Sequence, residues 1–493
     1  MALTTIKTGA IADDAVTTDK LANAINTERT ANTAKDLTAL SASNLTSGTV
    51  PDARFPATLP AASAANLTSI PAGNLTGTVA DARFPATLPA ASAANLTSIP
   101  AANITGTLPA ISGANLTGIS SAGKAHNLVI NGAMQVAQRG TSATGSGANG
   151  YATVDRFRAD QNGTDAYIEQ HQVDIASGET PYTEGFRKAF QVKNGNQTSG
   201  AGAGDYVRIS HRIEAGTMAQ SGWNYVSASS NITLSFWVKS SVAQNFYGFL
   251  RARDGTEQRY AFETGSLSAN TWTKVTKTIP GNSNLQFDTD TQQNANYRGL
   301  DIIIFPFFGT DYTDSGVSLN TWGALSSGTQ TPDNTSTWYT TDDAKFELTG
   351  VQLEVGDSAT DFEHLSYADE LIKCMRYYQI VIMSGHPSGG GTTGGLGGTP
   401  YSNGSSVYCP YRFPVEMRAE PSMISSSGTG SGSGTFRTRR GNNHNFNSFQ
   451  GTNTINPTSG TFITNGNAGG GDVGAYIWIE TNAGAKLALD AEL

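Results

Sequence analysis

Cysteine is nearly absent. Cys374 and Cys409 are the only two in the chain, and no Cys-x-x-Cys pair exists. That excludes a disulfide-stapled secreted scaffold and a thiolate zinc site. Two buried free thiols are expected, with one disulfide between them as the alternative. Charge is scarce as well: Asp, Glu, Lys and Arg make up 14% of the residues and the net charge is −9, which argues against a general nucleic-acid binder. No long uninterrupted apolar run occurs, so no spanning helix and no membrane insertion is expected. The opening MALTTIKTGAIADDAV lacks a basic stretch followed by an apolar one, so it does not read as a signal peptide, and folding in a cytoplasm is expected. Gly-x-Ser-x-Gly, Walker and His-Glu-x-x-His motifs are missing. Paired acids for glycoside hydrolysis can be drawn as Glu347 with Glu354, or Asp288 with Asp290, but acids at such spacings occur anywhere in a chain this long. Asp288-Thr-Asp290 is also thin support for a Ca²⁺ loop. No catalysis, cofactor or metal is expected.

What the chain does contain is repetition. Gly48–Ala72 reads GTVPDARFPATLPAASAANLTSIPA, and Gly77–Ala101 repeats it with Ala80 in place of Pro51, a period of 29 residues. Asn-(Leu/Ile)-Thr recurs at Asn44, Asn66, Asn74, Asn95, Asn103 and Asn115. These suit tight turns better than glycosylation, because Asn tolerates such turns and its amide pairs with backbone. A fixed period marks a stacked or fibrous array. Residues 42–119 hold only Asp52, Arg54, Asp81 and Arg83 as charges, with Phe55 and Phe84 as aromatics. One such chain cannot bury enough apolar surface to offset its conformational entropy, so it is disordered or shares a core with other copies. Regularly placed Leu, Ile, Val and Phe favour a shared shaft. At roughly 3.3 Å per residue it reaches about 250 Å at most.

Ahead of the shaft, Thr17 or Thr18 is placed to cap a helix over residues 19–40 with a thin apolar stripe, a collar or an attachment peptide. Beyond it, β-like segments are expected at 151–158, 166–173, 186–192, 206–213, 232–239, 246–253, 271–279, 300–308 and 345–355. In 232–239, Ile232, Leu234, Phe236 and Val238 alternate with Thr233, Ser235, Trp237 and Lys239, the signature of a half-buried antiparallel strand. Asp301–Phe308 is apolar on both faces, as a central strand would be. Many strands with Gly/Asn/Ser turns indicate a β-sandwich, a jelly roll. Ser366 is placed to cap a helix through Arg376, with Leu371, Ile372 and Met375 on one face. A smaller β module follows, with strands in YYQIVIM, SSVYCPYRF, GTFIT and GAYIWIET.

Several stretches carry a resemblance. NLVINGAMQVAQRGTS (127–142) with YATVDRF (151–157) resembles the opening of a jelly-roll domain in tail fibre and receptor-binding proteins of tailed phages. VQLEVGDSATDFEHLSYADELIKCMRYYQ (351–379) is similar to the segment that closes that domain. FPVEMRAEPSM (413–423), LALDAEL (487–493) and IKTGAIADDAVTTDKLANAI (6–25) match further parts of the same family in the same order. The resemblance implies a homotrimer located in the virion, anchored to virion tail proteins through its N-terminus. It implies a distal C-terminal part that engages the host surface. Because the jelly roll also resembles carbohydrate-binding modules, a polysaccharide or lipopolysaccharide is the implied ligand. The expected organisation is a mainly β, elongated trimeric fibre: 1–41 attachment segment and helical collar, 42–125 shaft, 126–365 jelly-roll sandwich, 366–493 helix linker and receptor-binding module. The expected function is non-catalytic host adhesion. The alternative is a capsid- or tail-attached structural fibre or connector without receptor contact.

A glycan site needs aromatic faces and planar hydrogen-bonding groups. Trp223, Tyr225, Trp237, Tyr312, Trp322, Trp338 and Tyr339 are candidates in the sandwich, and Trp237 stands out because its phase opposes the apolar face of its strand. Sandwiches bury Trp on both faces, so each is also a candidate core residue. In the last module Tyr401, Tyr408, Tyr411 and Trp478 accompany Gly-rich loops, where binding residues often sit. Arg437, Arg439, Arg440 and His444 form a basic cluster suited to phosphate or carboxylate, unless it is a solvated turn or pairs with acids between subunits.

Overall fold

The segment Asn231–Ser240 forms the strand that its alternation predicts. Ile232, Leu234, Phe236 and Val238 lie in the main core, while Trp237 belongs to a separate cluster on the opposite face. This chain is described from a computed structural model covering residues 127–287, 298–383, 396–400, 406–426, 436–440, 442–446, 449–450, 455–464, 477–481 and 486–493. The N-terminal helix, the repeats, Asp288, Asp290 and Tyr401 lie outside the described residues. All described residues belong to one unit, Ser112–Leu493.

The first part is a sandwich of twelve strands: β1 (Ser142–Ala143), β2 (Phe157–Asn162), β3 (Glu169–Asp174), β4 (Lys188–Lys193), β5 (Tyr206–Glu214), β6 (Asn231–Ser240), β7 (Asn245–Ala252), β8 (Gln258–Ser266), β9 (Thr273–Pro280), β10 (Arg298–Phe308), β11 (Trp322–Ala324) and β12 (Lys345–Val355). They form two six-stranded sheets, ordered β1-β3-β4-β12-β6-β9 and β11-β8-β7-β10-β5-β2. Every ladder between these strands is antiparallel. Inward side chains of both sheets, Phe190, Leu234, Phe236, Phe246, Phe262, Ile302, Ile304, Phe346 and Leu348 among them, share one core. Burying such a side chain is worth roughly 1.5–3 kcal/mol, so this core dominates the unit's stability.

Each sheet also has a partly covered outer face. On the first sheet, Trp237, Trp272, Phe186 and Ala189 pack with Tyr182 and Phe362. On the second, Phe249, Ile303, Phe305 and Phe308 pack under Tyr312, Val317, Leu319 and Leu325. That cover explains why β10 is apolar on both faces.

Several boundaries differ from expectation for identifiable reasons. Residues 151–156 are not strand: Arg156 has a left-handed φ of 70°, and the ladder starts only at Phe157. Strand β8 and the three-residue β11 carry too weak an alternation to be read from sequence. The helix Tyr367–Met375 is capped as expected, Ser366 Oγ accepting from the Asp369 N–H at 3.2 Å. Its buried side is Glu370 and Cys374, however, and Ile372 is 53% exposed, because Glu370 turns inward to accept from the Asn131 N–H at 2.5 Å. Cys374 and Cys409 are both free and buried.

After the helix come β13 (Tyr378–Met383), β14 (Leu396–Pro400), β15 (Val407–Arg412), β16 (Ser422–Ser426), β17 (Phe436–Arg440), β18 (Asn442–Phe446), β19 (Phe449–Gln450), β20 (Ser459–Thr464), β21 (Ile477–Thr481) and β22 (Lys486–Asp490). They pair as a three-stranded sheet, β13-β22-β16, and a seven-stranded one, β18-β17-β21-β14-β15-β20-β19. Phe436, Phe449, Phe462, Leu487 and Leu489 form their core.

The four described stretches that carry the family resemblance converge where this module meets the sandwich. Asn127 donates to the Val351 carbonyl (3.1 Å) and accepts from the Leu353 N–H (3.0 Å). Gln138 Nε2 donates to the Tyr378 carbonyl at 2.9 Å. Arg418 Nε donates to the Ala491 carbonyl at 2.8 Å, and Arg139 lies 3.1 Å from Asp490. Among the described residues, no helix is long and apolar enough to cross a membrane.

Candidate functional site

A cleft of about 690 Å³ opens at the edge of the sandwich, within the range of roughly 300–1,000 Å³ usual for small-ligand sites. It lies where the edge strands of the two sheets, β9 and β11, approach each other. Trp322 of β11 ties them, its indole N–H donating to the Pro280 carbonyl at 2.7 Å. Its ring stands 5.4 Å from Tyr260, whose strand β8 pairs with β11. Across the cleft, Tyr225 is set edge-on to Phe287, ring centres 5.0 Å apart at 84°.

The loop that forms the cleft floor follows β9 closely. Asn282 N–H donates to the Tyr225 carbonyl at 2.7 Å, and Gly281 N–H to the Ser230 carbonyl at 2.8 Å. A Cβ on Gly281 would lie 2.5 Å from the Tyr225 and Ser227 carbonyl oxygens, so only glycine admits this approach. The turn presents exposed Ser283 and Asn284 and half-buried Gln286 to the cleft, with Gln258 entering from β8. Gln258 Nε2 is fixed on the Thr256 carbonyl at 3.1 Å. Two aromatic rings, three side-chain amides and hydroxyls therefore meet in one concavity, with no ionisable acid, histidine or amine among its described lining. Amides offer donors and acceptors in one plane without a charge to desolvate.

The other candidates are placed as follows. Trp223 is 3% exposed and donates to the Ser230 carbonyl at 3.0 Å, packing behind Tyr225. Trp338 is fully buried and donates to the Lys345 carbonyl at 3.1 Å. Trp237 does lie opposite the core face of its strand, but it is 7% exposed there and donates to Glu184 Oε2 at 3.1 Å. These three rings have no free face. Tyr339 is buried against Phe307, and Tyr312 covers the second sheet. Tyr408 is half-buried on β15. The backbone of Arg437, Arg439 and Arg440 on β17 pairs with β18, Thr438 opposite His444, so these residues share one hairpin. Their side chains, and that of Trp478, lie outside the described atoms. Of the sequence candidates, the structure brings Tyr225 and Trp322 to one cleft. It adds Gln258, Asn284 and Gln286, which carry no sequence signal.

Of the four acids singled out by spacing, Glu347 and Glu354 lie among the described residues and are engaged outside the cleft. Glu347 accepts from Gln191 Nε2 at 2.7 Å and pairs with Lys239 at 2.7 Å. Glu354 accepts from the Thr360 N–H at 2.8 Å and hydroxyl at 2.6 Å.

No family model and no curated protein matches the chain. Among solved structures, an enzymatically active domain of tailspike protein 4 of bacteriophage CBA120 is 10% identical at a TM-score of 0.23. The match covers 44% of this chain and 22% of that one, so this chain spans under a quarter of the tailspike domain. The N-terminal cellulose-binding domain of β-1,4-glucanase C from Cellulomonas fimi is 12% identical at 0.22, covering 45% and 100%. A family 11 carbohydrate-binding module of a Clostridium thermocellum cellulase is 16% identical at 0.20, covering 45% and 99%. Scores and identities this low carry no inference about ligand.

Proposed function

We propose that the chain is a tail fibre of a tailed bacteriophage that holds the virion to its host by binding a surface glycan without cleaving it. The observation that carries this reading is the Tyr225–Trp322 cleft with its neutral amide and hydroxyl lining. A sugar ring stacks an apolar face on an aromatic side chain while its hydroxyls exchange hydrogen bonds with amides. The tandem repeats support a shaft in which three copies share a core, and trimerisation multiplies weak individual contacts. The family resemblance supports a virion location, attachment to tail proteins through the N-terminal segment, and assembly in the host cytoplasm. In this reading Tyr408 and the hairpin of Arg437, Arg439, Arg440 and His444 contribute a further contact with polysaccharide or lipopolysaccharide.

Intrinsic tryptophan fluorescence of the full chain, titrated with oligosaccharides released from the host envelope, tests the assignment. Saturable quenching is expected in the wild type, with calorimetric affinity weakened by up to about tenfold in Trp322→Ala and in Tyr225→Ala, since an aromatic contact carries roughly 0.5–1.5 kcal/mol. Undiminished binding by both variants would remove the cleft from the account. Release of reducing ends would end the non-catalytic reading.

A further inference from the structure

The helix Tyr367–Met375 turns its apolar stripe outward. Ala368, Leu371, Ile372 and Met375 are spaced i, i+3, i+4 and i+7, the pattern that a surface helix normally presses onto a core. Here the core-facing side is Glu370 and Cys374 instead. Ile372 is 53% and Tyr367 55% exposed, Ala368 is exposed, and Leu371 and Met375 are half-buried. None of these five belongs to any of the four apolar clusters among the described residues. The inversion is built in: Glu370 is held inward by the Asn131 N–H at 2.5 Å, which fixes the apolar side toward solvent.

The stripe is small. Two turns of helix are about 12 Å long and about 10 Å wide, on the order of 120 Å². A stable complex buries roughly 800 Å² on each partner. Such a patch cannot recruit a free partner; it suits a molecule that another contact already holds in place. The chain supplies one. Asn127, which continues from the residues of the tandem repeats, donates its N–H to Glu363 Oε2 at 2.6 Å, just ahead of the Ser366 cap. Asn131 follows it onto Glu370 of the helix itself. A shaft shared by several copies therefore tethers each copy at the approach to this helix, and holds the equivalent helices of those copies near one another.

We propose that the Ala368–Leu371–Ile372–Met375 stripe packs against the equivalent stripes of the other copies about their common symmetry axis. This contact rests on the trimeric shaft proposed above and adds to it a second place where the copies touch. Parallel copies around a closed axis present the same residue to one another at the same height, so Ile372 meets Ile372.

Cysteine crosslinking in the full chain tests the proposal, with the particle mass read by light scattering. Ile372→Cys, Leu371→Cys and Met375→Cys are oxidised separately and run on a denaturing gel. Ile372 is exposed within its own chain, so its replacement leaves that chain's core intact. Cys374 and Cys409 are buried, and the unsubstituted chain gives the background. A disulfide needs Cβ atoms within roughly 4.5 Å, so it reports contact. A trimer is expected in which at least Ile372→Cys gives a double-mass band. Tyr167→Cys, at a position 55% exposed ahead of β3, should stay at background. A trimer in which none of the three helix positions crosslinks overturns the helix contact and leaves the shared shaft standing. Equal crosslinking through Tyr167→Cys overturns it too. A lone 51.5 kDa particle overturns both the contact and the shaft beneath it.

Discussion

The guanidinium of Arg156 stacks over the ring of Tyr377, 3.5 Å from its centre. Arg156 is fully buried, pairs with Glu492 and donates to the Arg212 carbonyl. One side chain therefore ties the start of the sandwich to the helix exit and to the last strand's end. Arg139 repeats the device 3.7 Å over Tyr378, with Asp155, Asp490 and Glu492 around it. Residues 127–157, 351–379, 413–423 and 487–493 meet at this buried ionic and aromatic junction.

Removing Glu492 is predicted to leave Arg156 buried without its counter-charge. Breaking one side of such a pair costs about 3–5 kcal/mol. Glu492→Ala should lower the thermal midpoint and expose the segment around Tyr377 to limited proteolysis. A variant with wild-type melting and protection would show that the pair does not hold the joint.

The same joint should respond to pH. Burial raises Asp155 to about 6, against the opposing pull of Arg139 and Gln138. A carboxyl with a raised folded-state value binds its proton more tightly folded than unfolded. Its contribution to stability is full below about 4 and is lost as pH rises through about 6. Asp155→Asn should remove that loss, so the variant-minus-wild-type difference in stability should grow between pH 4 and 6. The size is on the order of 2 kcal/mol. A pH-independent difference would contradict the assignment.

Gly132 is predicted to be irreplaceable. A Cβ there would sit 2.1 Å from the Val351 carbonyl oxygen, and the Val351 N–H donates to the Gly132 carbonyl at 3.0 Å. Neither backbone has room to retreat, so Gly132→Ala should cost about 3 kcal/mol, as severe overpacking does. Chemical denaturation reads this directly. A midpoint within error of wild type would mean that the strand ends move apart freely.

The fold was legible where one physical signal acted alone. Alternation in β6 and the doubly apolar run in β10 gave their positions, and Ser366 gave the helix start. Residues 151–156 were misread because Arg156 adopts a left-handed turn for the sake of a tertiary ion pair. The helix face was misread because Glu370 turns inward to cap Asn131. For the site, aromatic type was visible but burial was not: Trp223, Trp237 and Trp338 each give their indole N–H to a partner fixed only by tertiary packing. The adjacency of Arg212, Asp301 and Arg251 across β5, β10 and β7 could not be read at all, since register alone brings them together.

Competition on living cells is the sharpest test of the proposed adhesion through the cleft. Labelled full-length protein is added to host bacteria and phage adsorption is scored, with Trp322→Ala as comparison. The account predicts saturable binding that blocks adsorption, and a folded Trp322→Ala protein that does neither. A well-folded wild-type chain that leaves cells unlabelled and adsorption unchanged would contradict it and point to a structural fibre.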